Sequence, residues 1–377
     1  MLFRSRGSVT VTVTEPRVRR GRSARNDGTT VAVTGAAGPL GQLVLERLVA
    51  AGRHKRIVAI DVDQGEATGV TWRLADVRDP ALRARLAGVD TVVHLATDRD
   101  PDAAPTDRRA LNVRGTDVLL TAAAASGVRR LVLLTSAMVY GASPDNPVPL
   151  PEDAPLHADP DLTLVGDWVE MERLATRAAR AYPSLQVVRM RPASLVGSVS
   201  DAMLPRLFDA PRLLVIKGSS PHWQFCHVED LVTALVMAAD GDVSGTVTVA
   251  SEGWLEQDEV ERISGMRSIV VPSAVAYSTA ERLHRVGVLP APASELRYLA
   301  NPWVVGAERL RAAGWQPKWT NADALAAHLQ AVGHTPGRGA SRLQRKDATR
   351  AAAGAAVAVV GTVAIARARA NRRRRRG

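Results

Sequence analysis

The chain has a single cysteine, Cys226, among 377 residues. That excludes an internal disulfide and any metal centre built from several cysteines, and it fits a reducing cytoplasm. Aromatic residues are only 4% of the chain, so a core of the size this length allows must be mainly aliphatic. The length admits one large or two ordinary domains. No apolar region of signal-peptide type stands near the amino terminus, and no internal repeat is evident. A basic body is missing as well, although the formal net charge is +11. Residues 338–377 carry 12 Arg/Lys against one Asp, and residues 1–28 carry seven Arg against two acids, so residues 29–337 are mildly acidic. Basicity confined to the ends argues against specific nucleic-acid binding.

The two ends are expected to lie outside the fold. Residues 1–28 place Arg17, Arg19, Arg20, Arg22 and Arg25 among Ser, Gly and Thr without a sustained apolar face, a composition expected to be disordered. Val9 to Val13 alternates like a short strand but has no obvious partner. In the carboxyl-terminal tail, 338–377, the segment Ala351 to Ala366 is 16 residues without a charge, bounded by Arg350 and by Arg367, Arg369 and Arg372 to Arg376. As a helix it would reach roughly 24 Å, short of a hydrocarbon core of about 30 Å. A membrane anchor formed by 351–377, a surface-associated or partner-binding helix, and a solvated tail are the three readings of it. The expected location is the cytoplasm, with this tail as the element that would attach the chain to the inner face of the membrane.

What is present begins at Val31-Ala32-Val33-Thr34-Gly35-Ala36-Ala37-Gly38-Pro39-Leu40-Gly41, an apolar β-branched run passing through a glycine-rich turn into Gln42 to Leu48. Glycines at 35, 38 and 41 allow a tight turn, close approach of a pyrophosphate, and close packing of helix on strand. The following helix would then present free N–H groups to an anion. Asp61 ends the next apolar run, Ile57–Ile60, about 20 residues on, where a ribose-binding acid is expected. Together these point to dinucleotide binding.

From residue 31 short apolar runs alternate with helical stretches. Ile57–Ile60, Thr91–Leu95, Leu131–Thr135 and Val187–Met190 read as buried strands; Leu43–Ala50, Arg109–Ala125 and Val169–Ala181 read as helices. The alternation predicts an α/β fold with a doubly wound parallel sheet. Leu213–Ile216, Thr246–Ala250 and Ser268–Val271 are strand-like but interspersed with Pro and Gly, suggesting a smaller substrate-side region inserted after the core sheet. The expected organisation is a tail at 1–28, a Rossmann core at 29–195, a substrate-side region at 196–337 interleaved with the core, and the tail at 338–377.

Further motifs follow in order. Asp76-Val77-Arg78-Asp79 comes after a third strand, where the acid could hydrogen-bond an adenine amino group. His94-Leu95-Ala96 ends a strand, Asn112 to Thr116 lies in a long helix, and Thr135-Ser136-Ala137-Met138-Val139-Tyr140-Gly141 closes another strand. Arg191-Pro192-Ala193 and Gln224 to Leu231 complete the set. In this order and spacing the chain resembles the extended short-chain dehydrogenase/reductases, the NAD-dependent epimerase/dehydratase family, over roughly residues 29–330. The resemblance implies a Rossmann domain holding NAD(P) and a smaller carboxyl-terminal region binding a small molecule such as a nucleotide sugar or sterol. It implies cofactor contacts from Gly35, Gly38, Pro39, Leu40, Gly41, Asp61, Asp76, Val77, Leu95, Ala96, Asn112 and Pro192. Asp61 favours NAD over NADP, since a carboxylate accepts a ribose 2′-hydroxyl and repels a 2′-phosphate. A homodimer through two long helices is expected on the same ground.

At the chemistry the chain departs from the family. The resemblance implies a Tyr-x-x-x-Lys pair, the Tyr exchanging a proton with substrate and the Lys lowering the phenol pKa and holding the nicotinamide ribose. The matching positions here are Leu164 and Trp168, neither of which can do this, while Glu172 falls where the family often carries an acid. Ser136 matches the catalytic serine. His94 reads as a structural histidine, Tyr140 as a packed turn aromatic, and His227 with Asp230 as a turn and cap for a helix at Leu231–Ala239. Three functions follow: an NAD-binding protein without ordinary hydride chemistry; an active oxidoreductase or epimerase using a substitute proton donor such as Tyr140 or a water; or a membrane-tethered scaffold that no longer binds dinucleotide.

Overall fold

The structure, a computed structural model, describes residues 28–100, 103–199, 207–208, 212–285 and 293–332. The expectations for the amino-terminal tail with Val9–Val13, and for the carboxyl-terminal tail with 351–366, lie outside these residues. Among the described residues, no helix is long and apolar enough to cross a membrane.

Seven strands form one sheet: β1 (Thr30–Thr34), β2 (Arg56–Asp61), β3 (Thr71–Leu74), β4 (Thr91–His94), β5 (Arg130–Leu134), β6 (Gln186–Pro192) and β10 (Thr246–Val249). Their order is β10-β6-β5-β4-β1-β2-β3, and every ladder is parallel. Parallel strands need covered faces, so they read as continuous apolar runs rather than alternating ones. Val31, Ala32 and Val33 in β1 and Val58, Ala59 and Ile60 in β2 have no exposed surface. Each buried Val, Leu or Ile side chain contributes about 1.5–3 kcal/mol, and this layer supplies the aliphatic core that the scarcity of aromatics required.

The order reverses direction at β1, whose neighbours are β2 and β4. In an open α/β sheet that is where ligands bind, outside the carboxyl ends of the strands. Helices α1 (Pro39–Ala51), α2 (Leu82–Arg85), α3 (Pro105–Arg109), α4 (Gly115–Ala125), α5 (Leu164–Ala181) and α6 (Val228–Asp240) accompany the sheet. The helix expected over Arg109–Ala125 is in fact α3, a π-turn at Ala110–Arg114 and α4 in succession. The expected helix at Val169 begins five residues earlier, because the Thr163 hydroxyl accepts from the Gly166 N–H and caps α5 at Leu164.

One strand belongs elsewhere than the sequence suggested. Thr246–Val249 pairs with β6, Val247 opposite Met190, and forms an edge of the core sheet. Its Val247 and Val249 are fully buried, which the nearby glycines obscured. Beyond the core, β7 (Ser194–Val196) pairs with β9 (Phe225–His227), and β8 (Leu213–Ile216) with β11 (Ser268–Val271). Both pairs are parallel and lie outside the seven-stranded sheet.

Candidate functional site

The three turn glycines have different reasons to be glycine. Gly35 has φ +69°, and a Cβ on it would lie 2.6 Å from the Leu95 and Ala96 backbone. A Cβ on Gly41 would collide with the Gly35 carbonyl oxygen and lie 2.8 Å from Ala36 Cα. Both are therefore demanded by packing of strand, turn and helix. Gly38 is not: its φ is −69°, and a Cβ there would meet only the Gly35 oxygen, at 3.4 Å. Gly38 is the N-cap of α1, no side chain caps the helix, Pro39 follows at its start, and the first turn holds no acid. The first-turn N–H groups of a helix have no intrahelical acceptor, so the space beside Gly38 suits an anion.

Asp61 stands beside that turn. Its Oδ2 accepts from the Ala37 N–H at 2.9 Å and its Oδ1 from the Val62 N–H at 2.7 Å. Each carboxylate oxygen keeps a second acceptor site, which is what a ribose hydroxyl needs. Asp76 is bonded by a near neighbour: Arg78 Nε and Nη2 donate to its carboxylate at 2.9 and 2.6 Å. These bonds hold its carboxyl below the usual range, against the opposing effect of burial. Val77 is buried, and a Cβ on Gly115 would lie 3.0 Å from its Cγ2, so it forms wall. Leu40, Leu95 and Pro192 are buried, Leu40 on the inner face of α1, Leu95 just past β4 and Pro192 at the end of β6 opposite Val249.

Asn112 lies in the π-turn, fully buried. It clamps the loop after β4, its Oδ1 accepting from the Asp98 N–H at 2.7 Å and its Nδ2 donating to the Asp98 carbonyl at 2.8 Å. It therefore positions a loop of the cleft. No motif marks its neighbours: Arg108 Nε donates to Asp167 Oδ2 at 2.8 Å and Arg109 Nη1 to Oδ1 at 3.1 Å. Burial pushes the Asp167 carboxyl up, while these arginines oppose the shift. The pairs tie α3 to the start of α5, the helix carrying Leu164 and Trp168.

At those positions Leu164 is 2% and Trp168 1% exposed. Both are packed apolar side chains, and neither has a titratable group. The indole Nε1–H of Trp168 is buried without an acceptor among the described residues, and the Thr97 hydroxyl, at the carboxyl end of β4, is likewise unpartnered. A buried donor left so costs about 1–3 kcal/mol. Arg99, on the same loop as Thr97, sets its guanidinium carbon 5.1 Å from the Trp168 ring centroid. Ser136, at the end of β5, is buried and its Oγ accepts from the Met138 N–H at 3.2 Å.

Tyr140, the residue expected either to pack in a turn or to act as a substitute proton donor, is enclosed. It has no exposed surface, and its hydroxyl donates to the Glu152 carbonyl at 2.8 Å. Burial raises its pKa, outweighing the nearby Arg191. The readings of His94, His227 and Asp230 as structural agree with the geometry. His94 is enclosed between Thr34 and Thr116. His227 caps α6 and stacks on Trp319 with centroids 3.8 Å apart, while Asp230 accepts from the Lys318 and Trp319 N–H groups. Among the described residues, no cluster of three His, Cys, Asp or Glu could hold a metal ion.

A doubly wound parallel sheet, a glycine turn at its switch point, an acid at the end of β2 and a serine past β5 define the class of extended short-chain dehydrogenase/reductases. Comparison with known proteins agrees. Residues 31–250 match the model of the NAD dependent epimerase/dehydratase family, and the chain belongs to that family. An uncharacterized protein of Mycobacterium tuberculosis is 29% identical over 320 residues, covering 81% of this chain and 85% of the relative. A 3-diazoavenalumate denitrifying reductase from a Streptomyces species is 31% identical over 237 residues, covering 59% of this chain and 76% of the relative. Among solved structures, MoeE5 in complex with UDP-glucuronic acid and NAD superposes with a TM-score of 0.60 at 22% identity, covering 81% of this chain and 99% of that one.

Proposed function

We propose that this chain binds NAD across the carboxyl ends of β2, β1 and β4, together with a small molecule on the side of residues 196–337, without the family's ordinary proton exchange. The carrying observation is the pair Leu164 and Trp168, two packed apolar side chains where a proton donor and its cationic partner would be needed. The residues present fit the cofactor. The space at Gly38 suits the pyrophosphate, and Asp61 suits the adenosine ribose and disfavours a 2′-phosphate. Thr97 and Trp168 offer unpartnered donors further along the crevice. Bound NAD would supply a hydride acceptor. What this chain's residues do in this reading is hold the dinucleotide, so that occupancy of the cleft is the signal or structural element.

The companion ligand in this reading is a nucleotide sugar or a sterol, the former supported by the UDP-glucuronic acid bound to MoeE5. The reading includes a homodimer through α4 and α5, whose outer groove is lined by Val113, Asp117, Glu170, Leu174 and Arg177. It also includes a cytoplasmic chain with residues 351–377 at the inner face of the membrane, which fractionation with and without 338–377 would test. Calorimetric titration with NAD and NADP, followed by absorbance at the reduced-nicotinamide band with a panel of nucleotide sugars and sterols, tests the centre of it. NAD binding tighter than NADP, without turnover, is the expected result. Robust turnover would remove the non-catalytic part, and failure to bind either dinucleotide would remove the whole.

A competing reading, an active oxidoreductase or epimerase, needs a donor other than Tyr140. One observation favours it: Glu295 is buried with Oε2 unpartnered. Burial and the neighbouring Asp161 push its carboxyl up to about 7, against the pull of Arg108.

A further inference from the structure

A cavity of about 270 Å³ opens where the loop after β10 faces the stretch 304–307. Pro149, Pro317, Val304, Val305 and the Trp254 indole give it an apolar lining, and Ser251 stands in the same wall. The walls are braced. Gln224 Nε2 donates to the Gly253 carbonyl at 3.1 Å and to the Val305 carbonyl at 2.8 Å, while its Oε1 accepts from the Val305 N–H at 2.9 Å. Trp254 is 36% exposed, and its ring is fixed by the indole N–H, which donates to Glu256 Oε1 at 2.8 Å. Ser251 is 2% exposed with its hydroxyl unpartnered. Buried polar groups are nearly always satisfied, and an apolar hollow with a few placed polar groups is the composition of a recognition site.

The rim is acidic. Residues 252–261 carry Glu252, Glu256, Asp258, Glu259 and Glu261 and no base. A capping box at the start of the helix Gln257–Ser264 accounts for Glu256 and Glu259, but not for Glu252 or Asp258. Glu252, Glu256 and Asp258 are exposed. Glu252 meets Arg311 at 3.4 Å and Glu256 lies 3.9 Å from His222 Nε2, while Asp258 has no cation among the described residues.

The chain carries the complement. The last described helix, Asn321–Ala331, starts against this rim, where Asn321 Nδ2 donates to the Glu252 carbonyl at 2.9 Å, and it packs on the helix Gln257–Ser264. Its residues rise about 16 Å in all, and an extended chain covers up to ~36 Å in ten residues, so Arg342, ten positions beyond Val332, is within reach of the rim. Residues 338–350 hold Arg338, Arg342, Arg345, Lys346 and Arg350 against Asp347, and Leu343 is their one large apolar side chain. We propose that Arg342-Leu343-Gln344-Arg345-Lys346 docks on this surface of its own chain. Leu343 enters the cavity against Trp254, the Ser251 hydroxyl meets a backbone carbonyl of the segment, and the three bases pair with Glu252, Glu256 and Asp258. A guanidinium beside the exposed indole gains further from the ring quadrupole. Contacts too weak to hold a free peptide suffice here, because a short tether gives an effective concentration in the millimolar range. The docked segment fixes the side of the molecule from which residues 351–377 depart, and it needs nothing from the cofactor cleft.

The test is zero-length carbodiimide coupling on the full chain, which joins an amine to a carboxylate only where the two touch. Lys346 is the sole lysine of residues 338–377. At low salt it is expected to couple to Glu252, Glu256 or Asp258, read by peptide mass spectrometry, and the yield should fall about fivefold in about 1 M salt, where charges are screened beyond roughly 3 Å. An equal mixture of isotope-labelled and unlabelled chain separates the occupants. Links confined to one label support docking within the chain; a statistical share of mixed-label links would give the cavity to a second copy's tail and overturn the proposal. Amide hydrogen exchange is the second readout: residues 251–256 should exchange about threefold faster in the Leu343→Ser/Arg345→Ser variant than in the unaltered chain. Both substitutions lie outside the residues that build the fold. Lys346 coupled to none of the three carboxylates, or exchange unchanged in the variant, would also overturn the docking.

Discussion

Glu172 receives both arms of Arg191, Nε on Oε1 and Nη2 on Oε2, each at 2.8 Å, with both side chains buried. Burial alone would lower the pKa of Arg191, but the Glu172 bonds outweigh it and hold the guanidinium firmly charged. The Thr135 hydroxyl donates to the same Oε1 at 2.8 Å, and Arg191 lies 4.7 Å over the Tyr140 ring. This network braces the ends of β5 and β6 against the middle of α5, behind the positions that Leu164 and Trp168 occupy. Breaking a buried pair leaves one charge unpaired, whereas removing both leaves none. Glu172→Met should therefore lose about 3–5 kcal/mol, and the Glu172→Met/Arg191→Met double variant should lose less than the single one. Urea unfolding of the two variants checks this; a double variant less stable than either single one would show that the pair itself contributes the stability.

The glycine turn separates binding from folding. Gly38→Ala adds a methyl group at an ordinary φ of −69°, with its nearest neighbour at 3.4 Å. Its melting temperature should stay within a few degrees of the unaltered chain, and NAD affinity should fall at least tenfold as the methyl occupies the pyrophosphate's place. Gly41→Ala, whose methyl would run into the Gly35 carbonyl, should instead unfold at lower temperature. Thermal melts paired with calorimetry would contradict the assignment if Gly38→Ala bound NAD normally.

The sheet was legible because its residues speak locally. β1, β2, β4 and β5 are short apolar runs, and the glycine turn carries its geometry in its spacing. Helix starts were less legible: α1 begins at Pro39 and α5 at Leu164, ahead of the first apolar repeats, because a proline and a threonine cap set them. The edge strand Thr246–Val249 reads as part of an insertion because pairing with β6 is a tertiary fact that no local pattern records. Positions 164 and 168 draw notice only through the resemblance to the family, since no local pattern marks them. What surrounds them was not: Arg108 and Asp167 meet across 59 positions, and Arg99 reaches Trp168 from another strand end. Charged residues in loops look solvated in a sequence, and only packing shows which are enclosed. Asp76, expected to meet adenine, also holds Arg78 two residues on, a local contact that the motif did not announce.

Glu295 offers a test of the competing catalytic reading through stability as well as turnover. Its folded pKa is about 7, above the ordinary 4.5. The folded chain thus holds a proton that the unfolded chain releases between pH 4.5 and 7, and stability falls as pH rises through that window. A shift of this size corresponds to about 3 kcal/mol. Glu295→Gln, which stays neutral, should gain stability relative to the unaltered chain at pH 8 and show no gain at pH 4, measured by denaturant unfolding at both. If the chain also turns over a sugar nucleotide or sterol, and Glu295→Gln abolishes turnover while NAD affinity holds, the carboxyl is the substitute donor. Turnover unaffected by the substitution would remove that role.

His94 gives the opposite pH signature. Its Nδ1 lies 2.8 Å from the Thr34 hydroxyl and its Nε2 3.2 Å from that of Thr116. Thr116 spends its proton on the Asn112 carbonyl at 2.5 Å, so its oxygen must accept from Nε2–H, which leaves Nδ1 to accept from Thr34. One neutral tautomer therefore satisfies the ring and ties β1, β4 and α4 together. Burial lowers the His94 pKa to about 4 from 6.5. Between those values the unfolded chain binds the proton and the folded chain does not, so stability is full above pH 6.5 and is lost as pH falls toward 4. The loss attributable to this residue is about 3 kcal/mol. His94→Gln should be less stable than the unaltered chain at pH 7.5, because an amide cannot span both threonines with the ring's geometry, and the gap should narrow at pH 4.5. Denaturant unfolding at the two pH values measures it, and chemical-shift titration of the His94 ring should show no protonation above pH 5. A ring that titrates near 6.5 in the folded chain would mean that the enclosure between the two threonines opens in solution.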